Sequence, residues 1–174
     1  PIIGNTLFIL GQTSEELGGS EYFELIDRQT YGSVPKVDLK TDKKNRLAVL
    51  DLIEKGLIDF VHDCSKGGIG TALAELAISG NLGINIDLKK IPNNCSRHDY
   101  LLFSESHSRF IIGTSQPDRL KGILSRRKCI FSEIGKTDPT KTLNLHYSGK
   151  EIINLSNDDL IRNYNTMNNT MDSS

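Results

Sequence analysis

The run Val61-His62-Asp63-Cys64-Ser65-Lys66-Gly67-Gly68-Ile69-Gly70 constrains this chain more than any other stretch. It joins the apolar segment Leu57 to His62 to the segment Ile69 to Ser79, where alanine, leucine and isoleucine hold most positions, and so reads as strand, glycine loop, helix. Such a unit needs a sheet with at least one helix packed on it. Unpaired N–H groups at the helix start favour an anion, and paired glycines let a phosphate come close to the backbone. The loop matches neither Gly-x-x-x-x-Gly-Lys-Ser/Thr nor Gly-x-Gly-x-x-Gly, so it carries no standard nucleotide fingerprint. A plainer reading stays open beside this one: Gly67 and Gly68 make the turn, Asp63 or Ser65 caps the helix, and His62 is a hydrogen-bonded core residue.

The flanking sequence alternates between the two periodicities. Ile2 to Leu10 reads as a strand, Gly11 to Ser20 as a polar loop, and Ser20-Glu21 as the start of a short helix. Leu47, Leu50, Ile53 and Leu57 recur at three- and four-residue steps, which predicts a helix over Lys43 to Lys55 with that stripe as its packed face. Leu82 to Leu88 alternates as a strand, Ser96 to Phe103 reads as a helix, Phe110 to Thr114 as a strand, Pro117 to Ser125 as a helix and Cys129 to Ile134 as a strand. Thr142 to His146 and Glu151 to Leu155 flank Tyr147-Ser148-Gly149-Lys150, a hairpin pattern. The expectation is one α+β domain with a mixed β-sheet over residues 1–160 and a polar tail over 161–174, disordered from Thr166 onward.

Charge and cysteine content narrow the function classes. The 174 residues suit one domain, and 21 basic against 22 acidic residues leave a net charge of -1, which argues against a nucleic-acid partner. The local basic runs Lys40 to Lys44 and Arg126 to Lys128 read as solvated surface. Cys64, Cys95 and Cys129 are far apart and form no Cys-x-x-Cys pair, so neither a disulfide framework nor a thiolate metal site is expected, and a reducing, cytoplasmic setting is. No apolar run reaches the roughly 20 residues of a membrane span. The chain opens on Pro1 rather than Met, from which a piece of a longer chain or a processed one is expected.

Three segments could carry chemistry. His62 and Asp63 are neighbours on a strand and point to opposite faces, so they form no acid-base dyad, and Cys64-Ser65 has no histidine placed for a triad. In Ser104-Glu105-Ser106-His107-Ser108-Arg109, Glu105 could accept hydrogen bonds from a ribose or amide, and Arg109 could hold a carboxylate or phosphate through its planar fork. An internal Glu105 to Arg109 ion pair is an equal alternative. Gly18-Gly19-Ser20 precedes a helix start and suits either an anion or an interdomain joint.

In order and separation, Leu17-Gly18-Gly19-Ser20-Glu21-Tyr22, then His62 to Gly68 with Ala72-Leu73-Ala74-Glu75-Leu76-Ala77, then Leu102-Phe103-Ser104-Glu105-Ser106 with Arg109-Phe110, resemble the motifs of formylglycinamide ribonucleotide amidotransferases. These belong to a superfamily with aminoimidazole ribonucleotide synthetase, selenophosphate synthetase and hydrogenase-maturation proteins. The resemblance spans roughly residues 1–160 and is stronger to the second of the two tandem domain pairs in that family's synthetase chain. It implies the α+β fold of the superfamily's carboxy-terminal domains. It also implies an ATP- and Mg2+-dependent enzyme of purine biosynthesis, with partners in the amino-terminal synthetase domains and a glutaminase. The family's catalytic histidine and magnesium-binding acids have no match here, so the fragment alone is expected to be inactive and to hold no metal. The resemblance turns His62, Asp63, Ser65, Gly67, Gly68, Ser104, Glu105, Ser106 and Arg109 toward a nucleotide or substrate cleft, active or vestigial, with Gly18, Gly19 and Ser20 as an interdomain loop. Lys66 stands where the family commonly has an acid, and Cys64 where it has a small aliphatic residue. Another superfamily member, a stand-alone nucleotide-binding module and a self-paired fragment are the other readings.

Overall fold

A computed structural model describes residues 1–27 and 32–171, and among them seven strands form one mixed sheet carrying six α-helices. The sheet order is β2-β4-β1-β5-β3-β6-β7, built from β1 (Thr6–Leu10), β2 (Phe60–Asp63), β3 (Gly83–Asp87), β4 (Phe110–Thr114), β5 (Phe131–Asp138), β6 (Thr142–Tyr147) and β7 (Lys150–Ser156). All neighbours are antiparallel except β3 and β6, which run parallel. The first strand is therefore central, between β4 and β5, and its four apolar side chains are completely buried.

Alternation along β1 divides them between two cores. Leu7 and Ile9 face a layer made by α3 (Gly68–Gly80), α4 (His98–Phe103) and the start of α6 (Asn157–Met171). Phe8 and Leu10 face α2 (Leu39–Glu54) and α5 (Pro117–Arg126). Each such side chain contributes about 2 kcal/mol by leaving water. The second layer stops short: on that side β3, β6 and β7 present Asn85, Asn144 and Asn154, paired across the strands, with Asn85 and Asn154 exposed.

Local sequence explains most boundaries. Asp38 caps α2 by accepting from the N–H groups of Lys40 and Thr41, and Pro117 occupies the first turn of α5. The β6–β7 turn uses Ser148 and Gly149 with φ of 51° and 79°, the left-handed pair that matches strand twist.

Three expectations change. Strand β1 begins only at Thr6, because Gly4 with φ of 90° turns the chain and leaves Ile2 and Ile3 exposed. In α2 the packed face is Asn45, Ala48, Val49 and Leu52, while the larger Leu47, Leu50 and Ile53 face solvent. The polar terminal stretch continues as α6 to Met171, anchored at its start where the Asn157 amide donates to the Ala77 and Leu82 carbonyls and Leu160 packs on the core.

Candidate functional site

Three sequence-distant segments meet around an open cleft of about 650 Å³: Gly18 and Gly19 before α1 (Glu21–Asp27), the β2–α3 turn from Asp63 to Lys66, and the loop from Glu105 to Phe110. Asp42 of α2 and Pro35 complete the rim. The β2–β4 pairing makes this meeting, because Asp63 at the end of β2 lies opposite Phe110 at the start of the antiparallel β4, which places the loop after β2 beside the loop before β4.

Glu105 is the keystone. Its carboxylate accepts from the Gly67 N–H at 2.9 Å and from the Glu21 N–H at 3.2 Å, tying the α3 and α1 starts together. Lys66 bridges to Glu21 at 2.8 Å from the other side, and its ammonium is held above the ordinary lysine range chiefly by that carboxylate. The glycine turn thus already has an anion on one of its N–H groups, supplied by the chain itself. Gly67 and Gly68 are both left-handed, with φ of 72° and 65°, and Gly67 serves as the α3 N-cap without any side-chain cap, so neither Asp63 nor Ser65 caps the helix. Gly68 also sits where a side chain would strike the Ser104 and Leu102 carbonyls.

Arg109 lines the cleft, but its guanidinium donors are committed within the wall and it does not pair with Glu105. It is 1% exposed and donates from Nε to the Ser106 carbonyl at 2.8 Å, from Nη1 to Thr13 Oγ1 at 3.0 Å and from Nη2 to the Ser104 carbonyl at 2.6 Å. Burial lowers its proton affinity below the usual guanidinium value. Ser104 and Ser106 are buried with it and zip the loop to residues 14–16: Ser104 Oγ accepts from the Glu16 N–H, and Ser106 Oγ from the Ser14 N–H. Ser20 is buried too, its hydroxyl accepting from the Phe23 N–H at the start of α1. These four residues support the wall from behind.

His62 lies outside the cleft. Its Nε2 stands 3.1 Å from Glu75 of α3 and its Nδ1 contacts the Asp63 carbonyl, in a partly exposed setting rather than the core. Cys64 lines the cleft but is buried, and burial pushes its thiol up to about 12, so it is a packing residue and not a nucleophile. The lining residues that sequence reasoning passed over are Asp42 and Pro35. Asp42 accepts from the Ser108 hydroxyl at 2.5 Å, and this bond, with Arg46 and His107 nearby, keeps its carboxyl below the usual range. The only signal was an acid inside an otherwise basic run.

The exposed wall is acidic, with Asp42, Asp63 and Glu105 against Lys66. A bare triphosphate would meet repulsion here. Among the described residues no three His, Cys, Asp or Glu side chains converge on a metal position, and Asp42 and Glu105 are already engaged, so the described cleft residues do not fit a magnesium ion. Among the described residues no helix is long and apolar enough to cross a membrane.

What the fold and site define is an α+β domain with a polar, glycine-rimmed cleft. Residues 3–148 match the family described as AIR synthase related protein, C-terminal domain, and the chain belongs to that family. It is 35% identical over 161 residues to phosphoribosylformylglycinamidine synthase subunit PurL of Methanocaldococcus jannaschii, covering 92% of this chain and 22% of that protein. The chain therefore spans about a fifth of the length of that relative. The fold is similar to that of Thermotoga maritima PurL complexed with FGAR, at a TM-score of 0.80 and 22% identity over 91% of this chain and 28% of that one. Other structures of that protein are complexes with ATP and ADP. Escherichia coli HypE, a hydrogenase maturation protein, is more distant, at a TM-score of 0.64 and 16% identity over 87% of this chain and 49% of that one.

Proposed function

We propose that this chain is the carboxy-terminal synthetase-type domain of an ATP-dependent amidotransferase that converts formylglycinamide ribonucleotide to formylglycinamidine ribonucleotide in cytoplasmic purine biosynthesis. The observation that carries this reading is the cleft wall built by the Gly18–Ser20, Asp63–Gly68 and Ser104–Arg109 segments, the same three that bear the family resemblance. ATP and Mg2+ serve the parent enzyme, and the acidic wall fits a role beside a cation-bearing nucleotide whose metal ligands come from elsewhere in the parent. Asp63, Ser65, Lys66 and Glu105 face the ligand, while Ser104, Ser106 and Arg109 hold the loop. The amino-terminal synthetase domains and a glutaminase complete the enzyme, and the fragment is inactive by itself.

The test separates the parent chain from this domain. A parent truncated of these residues should lose ATP- and ammonia-dependent amidation, and adding this chain should restore it. A truncated parent with full activity would remove the proposed role. The stand-alone nucleotide module is the weaker reading, since Glu105 already occupies the Gly67 N–H.

A further inference from the structure

Helix α2 is apolar on two opposite faces. Ala48, Val49 and Leu52 pack on the sheet, while Leu47, Leu50 and Ile53 line the outer side at 43%, 53% and 50% exposure. A helix with apolar residues on one face is finished by one packing layer; apolar residues on both faces call for a second. The outer stripe also continues along the chain. Val34, Val37 and Leu39, all more than half exposed, lead from Pro35 on the cleft rim into α2, whose Asp42 lines the same cleft. Isolated exposed leucines are ordinary, but a run of this length bordering a site marks a contact surface.

We propose that the outer face of α2, with the Val34–Leu39 approach, is the seat of another domain of the same parent chain, the one that closes the cleft. This rests on the proposed function above. Two observations select that occupant. The matched relative carries nearly four-fifths of its length outside the region this chain covers. The stripe is continuous with the cleft rim, so the body that supplies the missing wall meets α2 as it docks. Asp42 is paired with Arg46, and Asp51 with Lys55 and Arg127, while among the described residues Lys40, Lys43 and Glu54 flank the stripe without an ion pair, which favours an apolar counterface edged by charges of both signs. The Leu47–Ile53 surface thereby becomes an interdomain core rather than solvent-exposed helix.

The experiment is thiol labelling at Leu50→Cys in a Cys95→Ser, Cys129→Ser background, in this chain alone and in the whole parent, each rate normalised to that in urea and read by peptide mass spectrometry. The expected result is fast labelling in the isolated chain at every concentration and labelling slower by about tenfold or more in the parent. Equal rates in a parent that still carries out amidation would overturn the docking surface and leave the proposed function standing. Protection in the isolated chain that grows with concentration would make a second copy the occupant and would also overturn it. An active parent lacking this domain altogether would instead sink the functional reading beneath both.

Discussion

Arg109→Met separates a structural arginine from a ligand-binding one. The guanidinium is 1% exposed, and its three donated bonds end on the Ser104 carbonyl, the Ser106 carbonyl and Thr13 Oγ1. Methionine keeps much of the apolar stem and removes every donor. Leaving two carbonyls buried and unpaired costs about 1 to 3 kcal/mol each, and the hydroxyl adds less because it can turn. Against this stands relief of a desolvated charge with no carboxylate bonded to it, which returns part of the loss. The net destabilisation is about 3 kcal/mol. For a urea dependence near 2 kcal/mol per molar, the unfolding midpoint should fall by roughly 1.5 M, with an unchanged slope. Arg109→Lys should recover only part of it, since one ammonium cannot reach three divergent acceptors. A midpoint within about 0.3 M of the parent sequence, accompanied by loss of activity when the domain is assembled, would refute the reasoning and return Arg109 to the ligand.

Four further outcomes follow from the geometry. Gly68→Ala places a Cβ 2.5 Å from the Ser104 carbonyl oxygen and 2.6 Å from that of Leu102 at a φ of 65°, and should cost about 3 kcal/mol, a melting point lower by roughly 6 to 12 °C by calorimetry. Tyr22, stacked on Phe103 and donating to Asp99, has its phenol pushed up to about 12 by burial first and that bond second. Because the folded value is the higher one, the associated stability is complete below the ordinary value of 10 and falls as pH rises toward 12; spectrophotometric titration should show the late midpoint, moved back down by Asp99→Asn. Asp99 itself is drawn from 3.8 to about 2 chiefly by Arg97, so its contribution is complete above 3.8 and fades as pH falls toward 2, a component that Asp99→Asn should remove from acid unfolding curves. Cys64 should resist maleimide in the native protein and react on unfolding; fast native labelling would reopen the question of a reactive thiol.

The elements that could be read directly were those whose signals were local. Strand β4 spans Phe110–Thr114 and α5 starts at Pro117, both as expected, because an apolar β-branched run and a proline at a helix start need no tertiary partner to be recognised. Helix α2 was legible in position but inverted in orientation. Three of its large apolar residues lie outward and its core face combines Leu52 with the smaller Ala48 and Val49 and a buried asparagine, so choosing the stripe with more bulk chose the wrong side. The site reads differently. The three segments were identifiable, yet Arg109 is held mainly by carbonyls of its own loop and Glu105 by N–H groups far away in sequence, and side-chain identity announces neither. The carboxylate–guanidinium pair, one of two equal alternatives in the sequence, is replaced by two separate clamps built mainly on backbone groups. His62 was drawn from the cleft by Glu75, one helix away, a contact that depends on how α3 packs over β2.

The central place of the first strand carries a kinetic consequence. Both neighbours of β1 come from beyond residue 109, with Leu7 opposite Gly113 on one side and Gly135 on the other. During synthesis at about 5 to 20 residues per second, this largely apolar strand waits on the order of ten seconds for its partners to be made. Folding is therefore dominated by long loop closure, and the waiting strand is the segment most exposed to mispairing with another nascent chain. Moving Thr6–Leu10 to follow β5 in a circular permutant would shorten that wait, and should increase soluble yield even if final stability is unchanged.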